Sequence, residues 1–120
     1  MRIVLLTQDL MIGARVEGVA RQLGLSMRNV AQPQAAIAAA EDKDCRLLLI
    51  DLRTPGLDIA DLVQAIRAAR GPALPIVASG PHVHEANLAA ATAAGCDAVI
   101  TRGQLDRELP AIFAELIDLK

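Results

Sequence analysis

The sequence predicts an α/β domain built on a parallel sheet. Short apolar runs alternate with helical patterns along all 120 residues, and runs of this kind suit strands that are buried on both faces. No low-complexity linker or internal repeat interrupts the alternation. A chain of this length buries roughly two-thirds of its unfolded surface, which is enough for one core. We therefore expect a single domain over residues 1–120, with its functional groups at the edge of the sheet.

Five strands and five helices are expected, in strict alternation. The strands are the mainly apolar runs 3–7, 47–50, 75–79 and 98–100, together with a weaker, more polar second strand at 25–31 that suits a sheet edge. Apolar residues spaced three and four apart predict helices at 10–23, from 59 to 66 and onward to Gly71, and at 105–116. Pro33 and an alanine-rich run predict a helix at 34–42, and the fourth helix is expected at 84–94 before Gly95. Pro110 lies inside the last helix and predicts a late start or a kink, because proline removes a backbone donor.

Composition excludes several classes of function. Acidic residues outnumber basic ones by 14 to 12, so the chain lacks the basic field that nucleic acid or an anionic membrane usually requires. No run of 18 residues is free of charge, so no membrane span is expected. The start of the chain does not resemble a secretory leader, and we expect a cytoplasmic protein. We also expect Cys45 and Cys96 to be reduced thiols, since the strands they precede should lie too far apart for a disulfide.

The carboxyl ends of parallel strands meet at one edge of a sheet, and ligands of open α/β sheets bind there. We call this edge the rim. The residues expected on it are Thr7, Gln8 and Asp9 after the first strand, Asp51 and Arg53 after the third, Ser79, Gly80, His82 and His84 after the fourth, and Thr101 and Arg102 after the fifth.

The third strand and its loop read Leu47-Leu-Leu-Ile-Asp51-Leu-Arg-Thr-Pro55-Gly-Leu-Asp58. With the order of elements and the length, this segment resembles the receiver domain of two-component response regulators, and the resemblance covers the whole chain. It implies a flavodoxin-like three-layer sandwich with strand order 2-1-3-4-5. It also implies that Asp51 is the phospho-acceptor and that Pro55 shapes the loop.

Other rim positions depart from the receiver pattern. Receivers bind Mg²⁺ through the phospho-acceptor and a pair of acids after the first strand, and the matching pair here is Thr7 and Gln8. Asp9 comes one position late, so Asp9 and Asp51 are expected to hold Mg²⁺ only weakly, and no other cofactor is expected. The remaining departures are Arg102 for a lysine, Gly103 for a proline, Gly80 for a hydroxyl residue with Ser79 one position early, Val99 for an aromatic residue and Ile59 for a glycine.

Two arginines suggest a replacement for the metal. Arg102 or Arg53 is predicted to act as a built-in counter-ion to Asp51, because a guanidinium binds a carboxylate through two hydrogen bonds and keeps its charge. The alternative is that both arginines point into water.

Acids and histidines on the rim also have simpler interpretations. Asp9 and Asp58 stand where caps of the first and third helices belong. His82 and His84 are either metal ligands near Asp51 or part of a solvated loop and a helix start.

These observations favour a receiver-like signalling domain of a phosphorelay that acts by protein–protein interaction. Phosphorylation of Asp51 is expected to be impaired or absent, as in a pseudo-receiver, and no enzymatic activity is expected. The alternatives are a working phospho-receiver in which Asp9 assists Mg²⁺ binding, and a small ligand-binding protein on a flavodoxin-like fold. The expected partner is a histidine kinase or a downstream signalling protein, with a homodimer through about Glu85 to Leu119. Phe113 is expected either to mark that surface or to lie in the core.

Overall fold

The computed structural model describes residues 1–117 of the chain. The strands are Arg2–Leu6 (β1), Ser26–Val30 (β2), Cys45–Asp51 (β3), Ile76–Gly80 (β4) and Ala98–Thr101 (β5). The helices are Leu10–Gln22 (α1), Pro33–Ala40 (α2), Ile59–Arg70 (α3), Glu85–Ala94 (α4) and Arg102–Leu116 (α5). The predicted alternation of strands and helices is confirmed.

All neighbouring strands pair in parallel, in the order β2-β1-β3-β4-β5. One apolar layer packs α2, α3 and α4 against one face of this sheet, and a second layer packs α1 and α5 against the other face. The apolar residues of β3 alternate between the two layers, which explains its unbroken apolar sequence. The predicted three-layer sandwich and its strand order are confirmed.

Some strand and helix ends differ from the prediction, because strand pairing or helix capping determines where the strand or helix ends. Strand β3 includes Asp51 because its register pairs Asp51 with Ser79 of β4. Helix α5 begins at Arg102 and contains Pro110, so the predicted late start of this helix is wrong. The start is fixed by a capping box in which the Thr101 side chain accepts from the Gln104 backbone and the Gln104 side chain accepts from the Thr101 backbone.

Phe113 lies in the core between the sheet and helices α1 and α5, with 0% of its surface exposed. The expectation that it marks an exposed interaction surface is therefore wrong, and its alternative as a core residue is confirmed. The end of the predicted dimer surface, Leu119, lies outside the described residues. Cys45 is buried and Cys96 half-buried, and both are free thiols. No helix within residues 1–117 is long and apolar enough to cross a bilayer.

Arg67 ties together the loops at the amino ends of β4 and β5. It donates to the carbonyl of Leu74 at 2.6 Å and to Oδ2 of Asp97 at 2.8 Å. The same carboxylate oxygen accepts from the backbone N–H of Ile76 at 2.7 Å. Arg70 acts in a similar way at the start of β3, where it donates to the carbonyls of Asp42 at 2.8 Å and Cys45 at 3.0 Å. Arginines thus hold this end of the sheet, and the rim lies at the opposite end.

Candidate functional site

Asp51 and Thr7 lie side by side at the rim. The register pairs Leu6 with Ile50, so the residues that follow them, Thr7 and Asp51, lie at the same level of the sheet. Thr7 is buried, and only 7% of Asp51 is exposed. The Thr7 hydroxyl donates to Oδ2 of Asp51 across 2.6 Å. A short hydrogen bond to a charged acceptor is among the stronger ones in proteins.

The second carboxylate oxygen of Asp51 is held by the loop that follows β3. Its Oδ1 accepts from the backbone N–H of Arg53 at 2.9 Å. The Thr54 hydroxyl, also buried, donates to the backbone carbonyl of Asp51 at 2.7 Å. Both oxygens of the Asp51 carboxylate therefore have donors from the chain itself, and the carboxylate helps to shape the loop.

Asp9 caps helix α1, as predicted. Its Oδ1 accepts from the backbone N–H groups of Met11 at 2.8 Å and Ile12 at 3.2 Å. These bonds, with smaller contributions from the charges of Arg102 and Arg53, hold the pKa of Asp9 below its usual value. The backbone N–H of Asp9 also donates to the Thr7 hydroxyl at 3.0 Å, so Thr7 connects the start of α1 to Asp51.

Arg102 pairs with other carboxylates and not with Asp51. Its Nη1 lies 3.7 Å from Oδ2 of Asp9, and its Nε lies 3.9 Å from Oδ1 of Asp106. Within residues 1–117, neither Arg102 nor Arg53 forms an ion pair with Asp51. The counter-ion prediction is therefore wrong, because Thr7 and the loop backbone already hold the carboxylate and because Asp9 and Asp106 lie closer to Arg102.

A cleft of about 240 Å³ opens beside these groups and is lined by Gln8, Asp9, Asp51, Arg53 and Pro55. Gln8 is exposed, and its Nε2 donates to the carbonyl of Ala31 at 3.1 Å. Asp9 and Asp51 thus share the cleft, as a weak Mg²⁺ site would require.

The donor set does not suit Mg²⁺. Mg²⁺ needs oxygen ligands in near-ideal octahedral positions. The carboxylate oxygens of Asp51 accept from Thr7 and from the Arg53 backbone, while those of Asp9 face two backbone N–H groups and Arg102. Across residues 1–117, no three or more His, Cys, Asp or Glu side chains form a group that could hold a metal. The weak Mg²⁺ site at Asp9 and Asp51 stays a prediction that this arrangement does not favour.

The carboxyl end of β4 contributes packing rather than charge. Ser79 is buried and lies level with Asp51, while Gly80 pairs with Thr101. A Cβ placed on Gly80 would come within 3.4 Å of the Leu52 side chain, so this point of the rim is closely packed. His84 is the N-cap residue of α4, in agreement with the helix-start interpretation, and its side chain makes no capping hydrogen bond.

Sequence reasoning missed two hydroxyls at the rim. The sequence marks Thr7 as a rim residue at the place of a missing acid, and no pattern in it marks Thr54. A signal for Thr7 was present, because the ends of the first and third strands should lie together in the predicted order. The donor role of its hydroxyl toward Asp51 depends on the register, which the sequence alone does not specify.

No family model matches the chain, and no curated protein is detectably similar to it in sequence. Several solved structures are similar to this chain in fold. The receiver domain of the sensor histidine kinase PA1611 from Pseudomonas aeruginosa is 25% identical with a TM-score of 0.82, over 96% of this chain and 95% of that one. The chain has the fold of a response-regulator receiver domain.

Two further receiver structures share this fold. The receiver domain of NtrX from Brucella abortus is 22% identical over 98% of this chain and 99% of that one, with a TM-score of 0.81. A CheY-like receiver domain protein from Methanospirillum hungatei is 21% identical over 95% and 90% of the two chains, with a TM-score of 0.80. The predicted resemblance to receiver domains is confirmed. In this receiver fold, Asp51 occupies the carboxyl end of the central strand.

Proposed function

We propose that this receiver-fold chain is a signalling domain of a phosphorelay that acts by protein–protein interaction, without efficient phosphorylation of Asp51. It is a cytoplasmic module and not an enzyme. The observation that carries the proposal is the 2.6 Å hydrogen bond from the Thr7 hydroxyl to Asp51. The neutral Thr7 hydroxyl thus occupies one oxygen of the carboxylate to which a phosphoryl group would have to be transferred.

Charge supports the same proposal. Transfer of a phosphoryl group to a carboxylate brings two anions together, and a divalent cation normally offsets the developing charge. The receiver domain of PA1611 has a magnesium ion coordinated in its active site cleft. In this chain the second carboxylate in the cleft is that of Asp9. Its oxygens already accept hydrogen bonds from the backbone of α1 and form an ion pair with Arg102. Without a strong cation site, attack by Asp51 on a phosphodonor is slow.

Partners bind through the surface of the receiver fold. The expected partner is a histidine kinase or a downstream signalling protein. A second copy of the chain is a further candidate for the surface from Glu85 onward through β5 and α5. Helix α4 supports this proposal because only Ala91 among its residues is buried, so most of the helix remains available for contact.

A working phospho-receiver is the second candidate function. One observation favours it, since Asp9 and Asp51 line the same cleft. Mg²⁺ usually keeps several waters and binds through one or two carboxylates, so displacement of Arg102 would leave two ligands for it.

Intact-mass spectrometry separates these two functions. The wild-type chain and an Asp51→Asn variant are incubated with acetyl phosphate and Mg²⁺. We expect both to keep their mass. A gain of one phosphoryl group in the wild type that Asp51→Asn abolishes would overturn the proposal in favour of the working receiver.

A further inference from the structure

An uncharged groove lies next to the Asp51 cleft, between the start of α2 and the loop after β3. It has a volume of about 530 Å³ and is lined by Gln8, Gln32, Pro33, Gln34, Pro55 and Gly56. We call it the amide groove. Its volume lies within the range of about 300–1,000 Å³ that is typical of ligand sites. Gln8 and Pro55 line both the groove and the cleft, so the two adjoin. We call them together the depression, with Arg53 at its cleft end.

Three glutamine side chains supply hydrogen-bonding amides to the groove. Gln8 is oriented by its hydrogen bond to the Ala31 carbonyl, which uses its NH₂ group and leaves its oxygen as an acceptor. Gln32 is the N-cap residue of α2, yet its side chain makes no capping hydrogen bond. Gln34 is exposed on the first turn of the same helix. Each amide carries both donors and an acceptor, as a peptide group does.

Two prolines constrain the backbone of the groove walls. Pro33 occupies the first turn of α2 and fixes its own φ angle, and Pro55 does the same on the opposite wall. Gly56 has a φ of 75°, a left-handed conformation that favours glycine. A groove that is already formed loses little conformational entropy when a partner binds.

Charge distinguishes the two ends of the depression. The six residues of the amide groove carry no charge. At the cleft end, the exposed Arg53 guanidinium forms no ion pair within residues 1–117. The carboxylates of Asp9 and Asp51 beside it are already hydrogen-bonded. Arg53 is the cationic residue among those that line the cleft, so a carboxylate from a partner would find its counter-charge there.

We propose that the amide groove binds an extended peptide segment of a partner protein, with an acidic residue of that segment at Arg53. An extended segment presents the alternating N–H and C=O groups that three glutamine amides can bind. This inference rests on the proposed function, because it names the kind of partner segment that the proposed protein-interaction domain would bind. Peptide binding itself requires no phosphoryl group on Asp51.

A selection experiment tests the proposal. A displayed library of random 12-residue peptides is selected on the wild-type chain and counter-selected on a Gln32→Ala/Gln34→Ala variant. Enriched peptides are then synthesised and titrated by calorimetry and by NMR of the labelled chain. The matched control is Gln22→Ala/Gln64→Ala, which removes two exposed helical glutamines outside the groove.

We expect enriched acidic peptides to bind the Gln32→Ala/Gln34→Ala variant at least tenfold more weakly and the control variant unchanged. Their NMR shifts should centre on residues 8, 32–34 and 53–56, and Arg53→Ala should weaken binding several-fold. Failure to enrich any peptide that discriminates the groove variant would overturn the proposal, as would shifts centred elsewhere. So would dimerisation of the chain that the groove variant abolishes, because the occupant would then be a second copy. The phosphodonor assay is unaffected by these outcomes, so failure of this inference is distinguishable from failure of the proposed function.

Discussion

The Thr7 hydroxyl donates a 2.6 Å hydrogen bond to Oδ2 of Asp51, at the point where two neighbouring parallel strands end. Thr7 also accepts from the backbone of Asp9 at 3.0 Å, so its hydroxyl joins the central strand to the start of α1. A neutral side chain thus gives one oxygen of a buried carboxylate its hydrogen-bond donor.

Removing the Thr7 hydroxyl should destabilise the fold. Thr7→Val keeps the shape of the side chain but leaves Oδ2 of the buried Asp51 without its donor, which costs about 1–3 kcal/mol of unfolding free energy. Thr7→Ser keeps the donor and should lose much less. Urea denaturation measures both variants, and equal stability of Thr7→Val and the wild type would show that the hydrogen bond contributes nothing.

Arg67 should matter far more than an arginine in an exposed ion pair. Arg67→Ala removes the bonds to Leu74 and Asp97 from a side chain that is 23% exposed, and we expect a loss of about 1–3 kcal/mol. The control is Arg21→Ala, since Arg21 is 78% exposed in its pair with Glu17, and its expected loss is below about 0.5 kcal/mol. Similar losses from the two variants in thermal denaturation would contradict the bridging role of Arg67.

Acid should weaken the cap of α1 through Asp9. The pKa of Asp9 is lowered by the backbone N–H groups of Ile12 and Met11. Its ionised form therefore stabilises the fold above its ordinary pKa, and this contribution is lost as the pH falls through the lowered value. Asp9→Asn cannot titrate but can still cap the helix. Denaturation midpoints measured from roughly pH 5 down to pH 2 should fall less steeply in Asp9→Asn, and parallel profiles would exclude the effect.

The thiol of Cys96 should be slow to react. Burial, with the negative charge of Asp97, raises its pKa to about 11, so only a small fraction is thiolate near neutral pH. Alkylation by iodoacetamide, followed by peptide mass mapping, should be much slower at Cys96 in the native chain than in urea. The native rate should still rise with pH above roughly 9, near the ordinary pKa of a thiol. A plateau by that pH would contradict the raised pKa.

The architecture could be predicted because burial leaves a direct trace in the sequence. The run from Leu47 to Ile50 is apolar at every position since β3 is covered on both faces. The end of β3 could not be predicted in the same way, because pairing with Ser79 extends the strand to Asp51. Phe113 follows Leu105 and Leu109 at four-residue spacing, and extending that pattern would have placed it in the core.

The site was less predictable because its contacts depend on distances between elements. The sequence brings Thr7, Asp9, Asp51 and Arg102 to one edge, but it does not determine which acid Arg102 approaches. In the structure Asp9 and Asp106 are the acids near Arg102, and Asp51 is held by Thr7. The capping box of Thr101 and Gln104 was a local signal that could have given the start of α5.

The proposal that Thr7 stands in place of a cation ligand is tested most directly by an NMR titration with Mg²⁺. The wild-type chain is compared with a Thr7→Asp/Gln8→Asp variant, which restores the acid pair of receivers at the rim, after circular dichroism has shown that both are folded. We predict that Mg²⁺ shifts the rim amides of the variant saturably and leaves those of the wild type unmoved at concentrations that saturate the variant. Saturable shifts around Asp51 in the wild type, with an affinity equal to that of the variant, would contradict the proposal that this receiver fold has lost its cation site.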